Sequence, residues 1–140
     1  MILNNLYDLA EKENIKIYDY YIDECINGMY LNYDKLNVIA LNYKNIKNSK
    51  EETCILSEEL GHYYMDATYN YSCIDKVLID KQEYRAKKWS YSILIPFDKL
   101  KKALRSGIDT IYNLAEYFNV TVDYMKQAIN FYKDKYGYIS

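Results

Sequence analysis

At Ser49 the spacing of apolar residues changes, and the change divides the chain in two. Before it, short runs rich in Ile, Tyr, Leu and Val alternate partly with polar residues: IKIYDYYI (15–22), MYLNY (29–33) and NVIALNY (37–43). A period near two marks strands. Asn27-Gly28 is a turn signal after the first, and Asp34-Lys35 separates the second from the third, so the expected arrangement is a three-stranded antiparallel meander. Ahead of it, ILNNLYDLAEKE (2–13) gathers Leu3, Leu6, Leu9 and Ala10 on one face of a short helix. After Ser49 the period is helical. Ser49 is expected to cap a helix running to about Met65, with Glu51 and Glu52 in its first turn. Residues 66–79 read as irregular. A long helix from about Asp80 to Leu94 stops before Pro96, because a residue preceding proline avoids the helical region. Residues 97–105 form a short helix, Asp109 caps IYNLAEYF, and Thr121 caps VDYMKQAINFYKDK. One helix, three strands, then helices is an α+β order.

The 140 residues suit a single domain, read as a core over 1–105 and a C-terminal helical pair over 106–140. Half of the chain is apolar, but 19 of those residues are tyrosine, leaving 51 for a core, enough for one. A net charge of −2 excludes both an acidic disordered tail and a general polyanion binder. The charges are nevertheless segregated. Residues 1–80 carry 7 basic and 14 acidic side chains, residues 81–105 carry 8 and 2, and residues 106–140 carry 3 and 4. The basic stretch reads either as a solvated helix face or as a contact for an acidic partner. Three cysteines (Cys25, Cys54, Cys73) without a C-x-x-C argue against a disulfide scaffold or zinc ribbon and suit a reducing compartment. No basic-then-apolar leader and no apolar run of membrane-spanning length is visible, so the expected location is cytoplasmic, with no membrane partner.

The chain holds one histidine, His62, which excludes any intrachain site needing two. It lies in CILSEELGHYY (54–64), where Leu56, Leu60, Tyr63 and Ala67 form a helical apolar stripe. Glu58 and His62, four residues apart, stack on the other side with Glu59 beside them. Such a pair is either a solvated i,i+4 contact or part of a site. Gly61 bears on the choice, because a glycine inside a helix costs about 0.8–1 kcal/mol relative to alanine and implies a close neighbour. The expected neighbour is the 80–94 helix, where Ala86 and Ser90 present small side chains and Glu83 lies one turn earlier. That crossing would bring Glu83 toward Glu58 and His62, and three protein ligands plus a water is the layout of a catalytic zinc site. Cys54, one turn before Glu58, is either a soft ligand or a small core residue.

This segment resembles the metal-binding helix of the ImmA/IrrE family of metallo-endopeptidases, which are zincin-like and whose motif is H-E-x-x-H, usually as H-E-L-G-H. EYRAKKWSYSILIP (83–96) is similar to the family's second helix. Gly28-Met29-Tyr30-Leu31 with Val38-Ile39-Ala40-Leu41-Asn42 resembles its sheet edge, and LAEYFNVTVDYM (114–125) its closing helices. The resemblance implies that His62 and Glu83 are metal ligands and that Glu59 activates water. Glu58 stands where the family usually has its first histidine. Replacing an imidazole by a carboxylate brings a zinc site with these ligands near neutrality, which weakens the acidification of its water and admits manganese or iron more readily.

The same resemblance implies amide hydrolysis of a protein substrate, a helix-turn-helix repressor of a mobile element. Tyr63, Tyr64, Tyr84 and Tyr91 are candidate oxyanion donors, with nothing in the sequence to choose among them. A second reading is a binding module of the same scaffold that has lost catalysis and acts by holding the repressor. A third, direct DNA binding through residues 114–125, is disfavoured because the last helix offers Lys126 and Lys133 but no arginine.

Overall fold

In the computed structural model, which describes residues 2–21, 25–68 and 75–137, three strands form one sheet: Lys16–Asp19 (β1), Gly28–Tyr33 (β2) and Leu36–Leu41 (β3). β2 and β3 make the expected antiparallel hairpin, Tyr33 opposite Leu36, through Asp34 and Lys35. Both turn residues take positive φ (48° and 66°), as a two-residue turn matching the strand twist requires. The antiparallel meander is corrected at β1. The strand order is β1-β3-β2, and β1 runs parallel to β3 with Lys16 opposite Val38. β1 and β2 are therefore not a hairpin, and β1 lies on the far side of β3. The sheet is mixed, within an α+β fold.

The helices are Ile2–Lys12 (α1), Ser49–Tyr64 (α2), Lys76–Leu94 (α3), Phe97–Arg105 (α4), Ile111–Phe118 (α5) and Val122–Tyr136 (α6). α2 is capped by Asn48, whose side chain accepts from the Glu51 N–H, one residue before the expected Ser49. α3 begins earlier than Asp80, because Asp75 accepts from the N–H groups of Val77 and Leu78. Thr110 rather than Asp109 caps α5, whereas Thr121 caps α6 as its sequence position predicts. Pro96 ends α3 and begins α4 with φ −55°, a value its ring imposes.

One apolar core joins these pieces. Leu6 and Ala10 of α1, Ile39 and Leu41 of β3, and Leu56 and Leu60 of α2 meet Ile95, which follows α3, and Leu100, Leu114 and Met125 of the C-terminal helices. α2 runs through the centre, packed on α1, the sheet and α3. Its polar face is therefore presented to other elements of the fold rather than only to water. Among the described residues, no helix is long and apolar enough to cross a membrane.

Candidate active site

The crossing of α2 and α3 places the site. A Cβ built on Gly61 would stand 2.3 Å from the Ala86 carbonyl oxygen and about 3 Å from that residue's carbonyl carbon and Cα, so the two backbones touch where any side chain would intrude. One turn away, Ser57 and Ser90 close the same seam, Oγ to Oγ at 2.5 Å. The Ser57 hydroxyl donates to the Cys54 carbonyl at 2.8 Å. Ser90 therefore donates to Ser57, and Tyr124 of α6 donates to Ser90. This buried hydroxyl chain is fully paired and ties three helices together.

With the crossing fixed, Glu83 faces His62 across the seam, 3.4 Å from Oε1 to Nε2. The other ring nitrogen is committed by the way α2 ends. Met65 caps the helix, Asp66 takes φ 50°, and the Ala67 N–H returns to the His62 carbonyl at 2.9 Å while the Asp66 N–H reaches the Tyr63 carbonyl. This is the Schellman pattern. It turns the Ala67 carbonyl back onto the imidazole, where it accepts from Nδ1 at 2.6 Å. Arg85 of α3 donates to the Met65 carbonyl and holds the same turn. Burial alone would lower the His62 pKa. The Glu83 carboxylate, the Glu59 charge and the Ala67 carbonyl outweigh it and lift the imidazole to about 9.

Glu59 is 9% exposed and accepts a hydrogen bond from the Tyr30 backbone N–H. Burial pushes its pKa up to about 8, reinforced by Glu58 and Glu83 and opposed by His62. The start of β2 closes over it. A Cβ on Gly28 would lie 2.6 Å from Ile55 Cγ2 and 3.1 Å from Glu59 Oε2. Gly28 is thus a packing requirement of the acid beneath it. Glu58 is half-buried, and burial raises its pKa to about 7, with Lys87 opposing and Glu83 adding to the rise. A cavity of about 470 Å³ joins Glu58, Glu59 and Glu83 with Cys25, Asn27 and Ile79.

Glu58, Glu59 and Glu83 therefore share one cavity, and His62 contacts Glu83 at its edge. As donors they suit a divalent cation in chemistry: an imidazole whose Nδ1 is spoken for, so that loss of the Nε2 proton leaves a lone pair toward Glu83, and carboxylates whose mutual repulsion a cation would relieve. Among the described residues, no three His, Cys, Asp or Glu side chains already stand as a ligand group. His62 and Glu83 are in contact.

Cys54 is in the core, 6% exposed, with burial pushing its thiol up to about 12. It does not line the cavity. Nor do the candidate oxyanion donors. The Tyr63 hydroxyl donates to Glu13, Tyr64 stacks on Trp89, Tyr84 is exposed, and Tyr91 is buried against Tyr124 and Phe131. Cys73 falls outside the described residues. The sequence reading missed the Ala67 carbonyl, the Tyr30 N–H, Lys87 and Gly28 as neighbours of the site. Only Gly28 carried a signal, and it was read as part of a turn.

A buried acid and an imidazole on one helix, sealed by a glycine crossing and set beside a small mixed sheet, are the arrangement of a minimal zincin-like domain. The profile of the IrrE N-terminal-like domain matches residues 11–130. The chain belongs to that family, which is a family of metallopeptidases. Searches of curated proteins and of solved structures returned no match.

Proposed function

We propose that the protein is a metal-dependent endopeptidase in which Glu58, His62 and Glu83 hold one divalent cation and Glu59 handles the proton. Zinc is the expected ion, and the carboxylate-rich donor set also accommodates manganese or iron. The observation that carries this reading is the His62 ring, fixed through Nδ1 by Ala67 so that Nε2 faces Glu83 at the cavity holding Glu58 and Glu59. When bound, the cation supplies Lewis-acid polarisation and acidifies a water. With a cation held there, Glu59, positioned by the Tyr30 N–H, would be the group that takes a proton from the attacking water and returns it to the leaving amine. We take the substrate class from the resemblance, a helix-turn-helix repressor of a mobile element, met in the cytoplasm.

Elemental analysis of protein purified without chelator tests the metal assignment. The expected result is near-stoichiometric metal that is lost in Glu83→Ala and His62→Ala. Metal well below stoichiometry, unchanged by either substitution, refutes it. Among the described residues no three ligands already stand as a group, which favours a second reading, a binding module that holds its protein partner without cutting it. Glu58→His separates the two. A gain in metal affinity and peptide cleavage supports an attenuated peptidase, and no gain supports the binding module.

A further inference from the structure

A second cavity, of about 290 Å³, lies between α3, the start of α4 and the end of α6, and it shares no lining residue with the one that holds Glu58, Glu59 and Glu83. Its walls are mostly aromatic. Phe97 and Tyr136 stack with ring centres 4.2 Å apart and planes 15° from parallel, and Tyr132 packs on Phe97 at 5.0 Å. Trp89 lines the α3 side and is held by stacking on Tyr64, which does not line the cavity. The charged side chains on the lining are both lysines, Lys88 of α3 and Lys135 of α6. Among the described residues neither forms an ion pair, and no acidic side chain lines the cavity. The Lys135 ammonium stands 5.1 Å from the centre of the Tyr136 ring and 5.9 Å from that of Phe131, so it is held over the aromatic wall. Complementing the helix dipole accounts for a lysine in the last turn of α6, but not for Lys88, since the last turn of α3 holds no basic residue.

Size decides what kind of occupant fits. A stable protein partner covers about 800 Å² of surface, whereas pockets for small molecules begin at about 300 Å³. This cavity is of the second kind, at its small end. Aromatic walls favour a flat ring, and two ammonium groups favour negative charge. We propose that the cavity binds a small anion with a flat aromatic body, an aryl carboxylate of one or two rings. Its ring packs against Trp89 and Phe97, and its carboxylate is paired by Lys88 and Lys135. None of Glu58, Glu59, His62 and Glu83 takes part, so the site stands or falls independently of the peptidase reading.

Trp89 is the only tryptophan in the chain, so its indole N–H gives one identifiable signal in a proton–nitrogen correlation spectrum. The full chain is titrated with 2-naphthoate, with the neutral 2-naphthamide and with the cationic 2-naphthylmethylamine. The same titrations are run on a double variant, Lys88→Gln with Lys135→Gln, both at exposed positions where the change leaves the fold intact. The expected result is a saturating shift of the Trp89 signal with 2-naphthoate, at a Kd of about 1 mM or tighter. The neutral and cationic analogues should bind about fivefold or more weakly, the difference that two exposed ion pairs supply. In the double variant, naphthoate binding should fall to the level of naphthamide, and naphthamide binding should be unchanged. A Trp89 signal that does not saturate overturns the proposal, as does equal affinity for the three analogues. Naphthoate binding undiminished in the double variant puts the two ammonium groups outside the site and overturns it as well.

Discussion

Replacing Gly61 by alanine sets two physical effects against each other with opposite signs. In an isolated helix the change stabilises by about 0.8–1 kcal/mol. In this fold the new methyl carbon would sit 2.3 Å from the Ala86 carbonyl oxygen, where ordinary contact begins near 3.4 Å, so about 1.1 Å must be found. All three obstructing atoms belong to the Ala86 main chain, and no rotamer change clears them. α3 must move away from α2. Overpacking of this kind costs about 1–3 kcal/mol, and a rigid obstacle argues for the upper end, leaving a net loss of about 2 kcal/mol. With an unfolding entropy of about 2.1 cal/mol/K per residue over 140 residues, that lowers Tm by about 7 °C. Propensity alone would raise it by about 3 °C. Circular-dichroism melting decides between them. Ala86→Gly should not rescue the variant, since the clash is with backbone atoms common to both residues. The imidazole gives a second readout. Only one histidine is present, so its NMR signals are unambiguous, and moving α3 carries Glu83 away from His62 and lowers the ring pKa from about 9. A Gly61→Ala protein that melts at or above the parent temperature refutes the close crossing.

Other outcomes follow from the same packing and charges. Ser90→Ala should lose about 1–3 kcal/mol in urea titration, because it leaves the buried Tyr124 hydroxyl without its acceptor; Tyr124→Phe, which removes the outer member, should cost less. The metal-free protein should be more stable at pH 6 than at pH 9. Glu58, Glu59 and His62 are all raised, to about 7, 8 and 9, so the folded state binds protons more tightly than the unfolded one, and stability present at low pH is lost as pH rises through those values. A loss on the order of 2 kcal/mol is expected from urea midpoints at the two pH values, and a flat profile contradicts the buried cluster. Zinc affinity measured against a competing chelator should rise about tenfold or more between pH 6 and 7, since binding displaces protons from Glu58 and His62; a pH-independent affinity excludes both as ligands.

The parts of this fold that were legible in the sequence are those where a residue is costly unless a neighbour explains it. Gly61 is unfavourable in a helix, and the small residues four apart on the following helix identify what approaches it. Pro96 and Thr121 mark their boundaries for equally local reasons. Partnership in the sheet is not local. Alternation in residues 15–22 marks a strand but is silent on which side of β3 it joins. The early start of α3 was hidden because Val77 and Leu78 are exposed there and contribute no buried stripe. The Ala67 carbonyl was hidden because the turn delivering it places Asp66, not a glycine, at positive φ. Asn27-Gly28 shows the converse. The dipeptide signals a turn, whereas the structure uses Gly28 as the first residue of a strand that must clear Glu59.

Glutamate at position 58 acts mainly on charge. Three carboxylates and one imidazole share a largely buried region, and the pKa values of Glu58, Glu59 and His62 are raised together. Without a cation, these groups satisfy the low-dielectric surroundings by keeping protons, and the ring pairs with Glu83. In the proposed metal site a divalent ion would do the same work by replacing those protons, so proton and metal would compete for one set of atoms. A histidine at position 58 would remove one negative charge and relieve the repulsion on Glu59. Its carboxyl pKa should fall below about 8, and the metal-free protein should lose less stability between pH 6 and pH 9. Urea midpoints of Glu58→His at the two pH values measure this directly. A pH profile as steep as the parent's would show that Glu58 does not contribute to the coupling, and would remove the electrostatic case for treating it as a member of the site.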